Sequence, residues 1–192
     1  MTPLHRRTFL SALALIATAC TDKPAASAPA APAAPASPSS AYERAAKASG
    51  FTVGTVMAAN TVYVFFDPAC PHCAHLWEQS QPLLKRLKMV WLPVGILRKT
   101  SAPQGATILS AADPSQAMAQ NEASVLARGP GIEVPANLSP DVLAKVEANT
   151  KLLNELGADS VPFIVFKNGK SGQYGSRTGS ASTEELASMV GI

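Results

Sequence analysis

Residues 61 to 77 read TVYVFFDPACPHCAHLW: a strand-like run of Val, Tyr and Phe, two prolines, and two cysteines three positions apart. β-Branched and aromatic residues favour a pleated strand. The run is almost continuously apolar from Val62 to Phe66, as in a strand buried on both faces. Pro68 and Pro71 end it, and Pro71 suits the first turn of a helix, where its missing N–H costs nothing. The chain must therefore bring the end of a central strand and the start of a helix to one place, with Cys70 and Cys73 at that junction.

Cysteines at i and i+3 on a helix start can approach closely enough to form a small, strained ring. Cys70 would sit beside unpaired backbone N–H groups and the positive end of the helix dipole, which stabilise a thiolate. His72, between the cysteines, can add a donor or a positive charge near that sulfur. Stabilising the thiolate stabilises the reduced form and makes the disulfide a stronger oxidant. Cys73, one turn into the helix and better buried, is then the resolving thiol. Three other readings compete. A structural disulfide would close too short a loop to restrain the unfolded chain much. A metal site could use Cys70, Cys73, His72 and His75, but there is no second cysteine pair to complete a closed tetrahedral set. Chance occurrence of a lone C-x-x-C is the third. The redox-active dithiol is the favoured reading.

The N-terminus sets the compartment. MTPLHRRTFLSALALIATAC has basic residues early, an apolar stretch from Phe9 to Ala19, and no acidic residue before Asp22. That is the layout of an export signal over residues 1–19, and the stretch is too short to span a bilayer comfortably. RRTFL resembles the twin-arginine export signal, with a general secretory route as the alternative. Cys20 follows small residues in ATAC, which resembles a lipoprotein cleavage box except that Ala17 stands where Leu is usual. Three cysteines leave one unpaired, and lipid attachment at Cys20 would account for the third; removal of Cys20 with the leader is the alternative. Asp22 then resembles the signal that retains lipoproteins at the inner membrane.

Residues 20–40 form a tether, and PAASAPAAPAAPASPSS within it (24–40) is nearly all Pro, Ala and Ser. Such a run buries no apolar surface and is held extended by its prolines. One folded domain is expected over about residues 41–192. The 16 basic residues fall to 14 without Arg6 and Arg7, against 13 acidic ones, so the mature chain is nearly neutral. No Lys/Arg cluster with interleaved aromatics is present, which argues against a nucleic-acid partner.

Further along, AYERAAKASG reads as a short helix and FTVGTV as a strand joined by MAAN to the one already described. The helix from Pro71 carries Leu76, Trp77, Leu83, Leu84 and Leu87 on one side, with a kink at Pro82. MVWLPVGIL is a third strand, followed by helices at PQGATILSAA and PSQAMAQNEASVLAR and a loop, GPGIEVPAN. SPDVLAKVEANTKLLNELG is a helix with Ser139 as N-cap, Pro140 in its first turn and Gly157 at its end. VPFIVFKNGKSGQYGS reads as a hairpin turning at Asn168-Gly169, and STEELASMVGI as a capped helix. This order is that of an α/β thioredoxin fold with helices inserted in its middle. Asp67 is favoured as a turn cap over a charge acting on Cys70. His75 reads as exposed, and Phe66 and Trp77 as core.

FFDPACPHCAHLWEQSQPLL, VGILRKTSAPQGATILSAADPSQAM and VPANLSPDVLAKVEANTKLLNELGADSVPFIVFKNGK together resemble the catalytic domain of the periplasmic DsbC/DsbG thiol:disulfide interchange proteins, DsbG more closely. The similarity runs in order from about Thr61 to near the C-terminus. It implies that the helical insertion lies at about residues 101–157, that Cys70 is the nucleophile and that Cys73 is the resolving cysteine. It also implies that Pro162 is a cis-proline which, with Val161, presents backbone to a substrate strand. No cofactor is implied. The implied partners are exported proteins with cysteines and a membrane redox protein, DsbB-like or DsbD-like. The sequence departs from DsbG in three ways: it has a Pro/Ala tether where that family has a dimerisation domain, which predicts a monomer; its inter-cysteine dipeptide is Pro-His; and Val161 precedes the proline. The last two resemble the oxidase DsbA, so the direction of exchange stays open. The rival from another class is a copper- or zinc-binding chaperone-like module using Cys70, Cys73 and His72.

Overall fold

In the computed structural model, residues 36–58 and 61–192 are described. The leader, Cys20 and most of the tether lie outside them, as does the end of the MAAN connection. Five strands form one sheet in the order β1-β3-β2-β4-β5. They are β1 (Phe51–Gly54), β2 (Thr61–Phe66), β3 (Lys88–Pro93), β4 (Phe163–Lys167) and β5 (Tyr174–Thr178). β2 lies at the centre, parallel to β3 and antiparallel to β4, while β1 and β5 are antiparallel edges. Val62, Val64, Phe65 and Phe66 are fully buried, which explains the unbroken apolar run.

Helices cover both faces of the sheet. Tyr63 meets Tyr42 of α1 (Pro38–Ala45) edge to face at 5.0 Å. Phe66, on the other face, meets Trp91, which in turn packs on Trp77 of α2 (Pro71–Ser80). These aromatic contacts pin α2 to the sheet. α3 (Ser101–Ser110), α4 (Pro114–Leu126) and α5 (Pro140–Glu155) lie between β3 and β4 in the chain, and α6 (Thr183–Val190) closes it. The fold is the thioredoxin fold with a helical insertion, as the element order implied.

Three local expectations are corrected. α1 begins at Pro38, inside the stretch read as tether, because the Ser37 side chain accepts from the N–H of Ser40 and caps it. α2 does not continue through Pro82: it stops at Ser80, and Gln81–Leu83 form a 3-10 turn. Leu83 and Leu87 are still buried, now from the connection to β3. The β4–β5 turn is not a two-residue turn at Asn168-Gly169. It spans residues 168–173, closed by the Asn168 N–H on the Gln173 carbonyl, with Asn168 Oδ1 accepting from Lys170 and Ser171 and Gly172 at φ 72°. Capping of α6 is as the sequence indicates: Ser182 and Glu185 form a reciprocal capping box.

Candidate active site

The strand register brings the site together. Phe163 pairs with Phe65, so Val161 and Pro162, just before β4, come opposite the end of β2 where the Asp67–Cys70 loop begins. The Val161–Pro162 bond is cis. Cys70 is the N-cap of α2 with extended backbone (φ −94°, ψ 112°), and its carbonyl accepts from the N–H groups of Cys73 and Ala74. Its Sγ lies 3.6 Å from the Val161 carbonyl, to which the neutral thiol donates. Both cysteines are buried and both are free thiols.

The two sulfurs differ in acidity. The Cys70 thiol is held at about 7, below its ordinary value of 9.0, chiefly because the Cys73 thiol hydrogen-bonds to its sulfur. Burial opposes this; the N–H groups of Cys73 and His72 act with it, and the charge of Asp67 acts against it. Cys73 is pushed well above its ordinary value, first by burial and then by its bond to Cys70 and the charge there. Cys70 is thus the more acidic of the two thiols, while Cys73 keeps its proton at neutral pH. His72 acts on the sulfur through its backbone N–H, and the residue is exposed. His75 is also exposed, 3.8 Å from Glu78. Among the described residues no three His, Cys, Asp or Glu side chains gather as metal ligands.

Asp67 is fully buried and caps the loop. Its Oδ1 accepts from the N–H of Ala69 at 2.8 Å, and its Oδ2 from those of Ile96 and Leu97 at 2.8 and 2.9 Å. The chain after β3 is thereby fastened to the active-site loop.

One participant escapes a reading by motif. Glu122, on α4, is 1% exposed; Asn121 donates to its Oε1 at 3.3 Å, while Oε2 has no partner. Burial raises this carboxyl to about 8; the Asn121 bond pulls it down, and the charges of Cys70 and Asp67 push it further up. Cys73 feels Glu122 in return. A positional signal was present: Met118 and Val125 mark the buried stripe of α4, and Glu122 falls between them at i+4 and i+7 spacing.

The chain is similar to known proteins in sequence and in fold. A thioredoxin family model matches residues 46–126. Thiol:disulfide interchange protein DsbG of Escherichia coli K12 is 36% identical over 107 residues, covering 55% of this chain and 42% of that protein. DsbG of Pseudomonas aeruginosa is 28% identical over 140 residues, covering 72% and 54%. The chain thus spans about half the length of these relatives. Among solved structures, the catalytic domain of Proteus mirabilis ScsC superposes with a TM-score of 0.60 at 18% identity, over 75% of this chain and 88% of that one.

Proposed function

We propose that the chain is a thiol:disulfide oxidoreductase that exchanges disulfides with exported proteins through Cys70 and Cys73. The observation that carries this reading is the thiol of Cys70 at a helix N-cap, beside the cis Val161–Pro162 bond, with an acidity of about 7. In the reducing or isomerising direction the Cys70 thiolate attacks a substrate disulfide. A bond forms from Cys70 to one substrate sulfur, and the other leaves as a thiolate. Cys73 then attacks Cys70, the Cys70–Cys73 disulfide closes, and the second substrate thiol departs. Two electrons have passed to the substrate, and a membrane dithiol protein of the DsbD-like class restores them.

Glu122 serves the second step. Burial keeps this carboxyl protonated, and while Cys70 is a thiolate its charge adds to that effect. Capping Cys70 in the mixed disulfide removes that charge, so Glu122 ionises more readily when Cys73 must lose its proton. Val161 and Pro162 offer backbone to the substrate segment, and His72 adds its N–H to the stabilisation of Cys70.

An acidity of about 7 supports the reducing or isomerising direction. A strongly oxidising thiol of this fold lies near 3.5, whereas a reducing one lies near 7. Residues 1–19 direct export to the periplasm, and Cys20 carries a lipid anchor with residues 21–37 as tether. Equilibration of the soluble domain in glutathione buffers tests the direction: a potential near or below about −200 mV agrees, and one near about −120 mV reverses it to a disulfide donor with a DsbB-like partner. A Cys73→Ser variant is expected to trap substrates on Cys70; trapping none would refute the enzyme itself.

A further inference from the structure

Beside Cys70, on the flank formed by its neighbours Ala69 and Pro71, lies a cavity of about 180 Å³ whose other walls are Val125, Gly129 and Pro130, with Arg98 and Arg128. Both arginines are exposed. Arg44 and Arg177 have carboxylate partners in Glu155 and Glu185, but among the described residues the guanidinium groups of Arg98 and Arg128 have none, and they make no hydrogen bond. Lys99 adds a further exposed cation next to Arg98.

Arg128 is unusual in its backbone. It follows α4 with φ 60°, the only residue other than glycine with positive φ among the described residues. The turn is held by its own N–H on Val125 and that of Gly129 on Ser124 at 2.9 and 2.7 Å. Glycine is the residue this helix-ending position favours, and another L-residue there costs roughly 1 kcal/mol. A cation is welcome at a helix C-terminus, but a lysine in the last turn of α4 would supply that without the strain. What the strained position adds is a guanidinium at the rim of a cavity next to the reactive sulfur.

From this we infer that the cavity between Arg98 and Arg128 is a substrate subsite for a carboxylate, so that the protein favours cysteines with an Asp or Glu a residue or two away. Its volume suits one acidic side chain and falls short of the few hundred Å³ typical of a whole small-molecule site. Planar guanidinium groups bind carboxylates in a bidentate fashion, which fixes orientation as well as charge. A substrate segment with its sulfur at Cys70 would bring a side chain a residue or two away within reach of the cavity walled by Ala69 and Pro71. This rests on the thiol–disulfide exchange proposed above.

The test uses short peptides with one cysteine in a mixed disulfide with 2-mercaptoethanol, flanked by Glu, Gln or Lys. Second-order rate constants for reaction with the reduced protein are measured at low and high salt. The Glu peptide is expected to react about tenfold faster than the Lys peptide at low salt, with the ratio shrinking as salt screens the charges. In an Arg98→Gln/Arg128→Gln variant, with folding checked by circular dichroism, the ratio should fall towards one. Equal rates for Glu and Lys peptides in the natural protein, or an undiminished ratio in the variant, would overturn the subsite while leaving exchange intact. No reaction even with the Gln peptide would sink both.

Discussion

Asn121 Nδ2 donates to the carbonyl of Pro68 at 2.8 Å, joining α4 of the insertion to the active-site loop across 53 positions of chain. The same side chain accepts from the N–H of Ile132 at 2.9 Å and donates to Glu122. One buried amide therefore fixes the loop that carries Cys70, the segment after α4, and the carboxyl beside the dithiol.

Replacing Asn121 by Ala strands the buried Pro68 carbonyl and the half-buried Ile132 N–H. Each orphaned group costs on the order of 1–3 kcal/mol. A fall in Tm of about 5 °C or more is the expected result in thermal unfolding of the reduced protein. An unchanged Tm would mean that the loop is held by other contacts.

Asp67→Asn separates stability from reactivity. The amide keeps the shape but turns one acceptor into a donor facing backbone N–H groups, so a loss of roughly 2–3 kcal/mol is expected by denaturant unfolding. Removing the carboxylate also removes a charge that opposes the Cys70 thiolate. The pH at which alkylation of Cys70 reaches half its maximal rate should therefore move down, even as the fold weakens.

In the natural protein that alkylation midpoint should lie near 7. Cys73, fully buried and with its thiol pushed well up, should stay unmodified until the protein unfolds. Peptide mapping after a brief pulse with iodoacetamide checks both, and modification of Cys73 at a comparable rate would contradict the buried position given to it.

Glu122 leaves a signature in the dependence of stability on pH. The unfolded carboxyl loses its proton near 4.5, whereas the folded one keeps it until about 8. Between these values the native state binds more protons than the unfolded state, so stability falls as pH rises, by at most about 1.4 kcal/mol per pH unit. Glu122→Gln should remove that slope, gaining relative stability from pH 5 to 7. The same variant should slow release of a mixed disulfide from Cys70. Parallel stability curves for the two proteins would count against a buried, protonated Glu122.

Much of this was legible in the chain itself. The strand from Val62 to Phe66, the proline at the first position of α2 and the cysteine spacing each state a local preference that the fold obeys. The capping box of α6 did likewise, and α5 starts at Pro140 as expected although the Ser139 side chain makes no capping bond. What failed were terminations and turns: Pro82 stops a helix that apolar spacing would have carried on, and six residues, not two, connect β4 to β5. Those outcomes depend on backbone hydrogen bonds from residues such as Asn168, which no periodicity records. Glu122 was hidden for another reason. An acidic residue on a helix is ordinarily at the surface, and only the packing of α4 against α2 makes it part of the site.

The insertion occupies a single contiguous stretch between β3 and β4, while the ladders that join β2 to both strands are made wholly from residues outside it. Asn121, Glu122 and Arg128 all come from that stretch. The buried carboxyl beside the dithiol and one guanidinium of its flank thus come from a segment that contributes nothing to the pairing of the central strand, so residues there can alter the dithiol's protons and charge with no strand of the sheet re-registered.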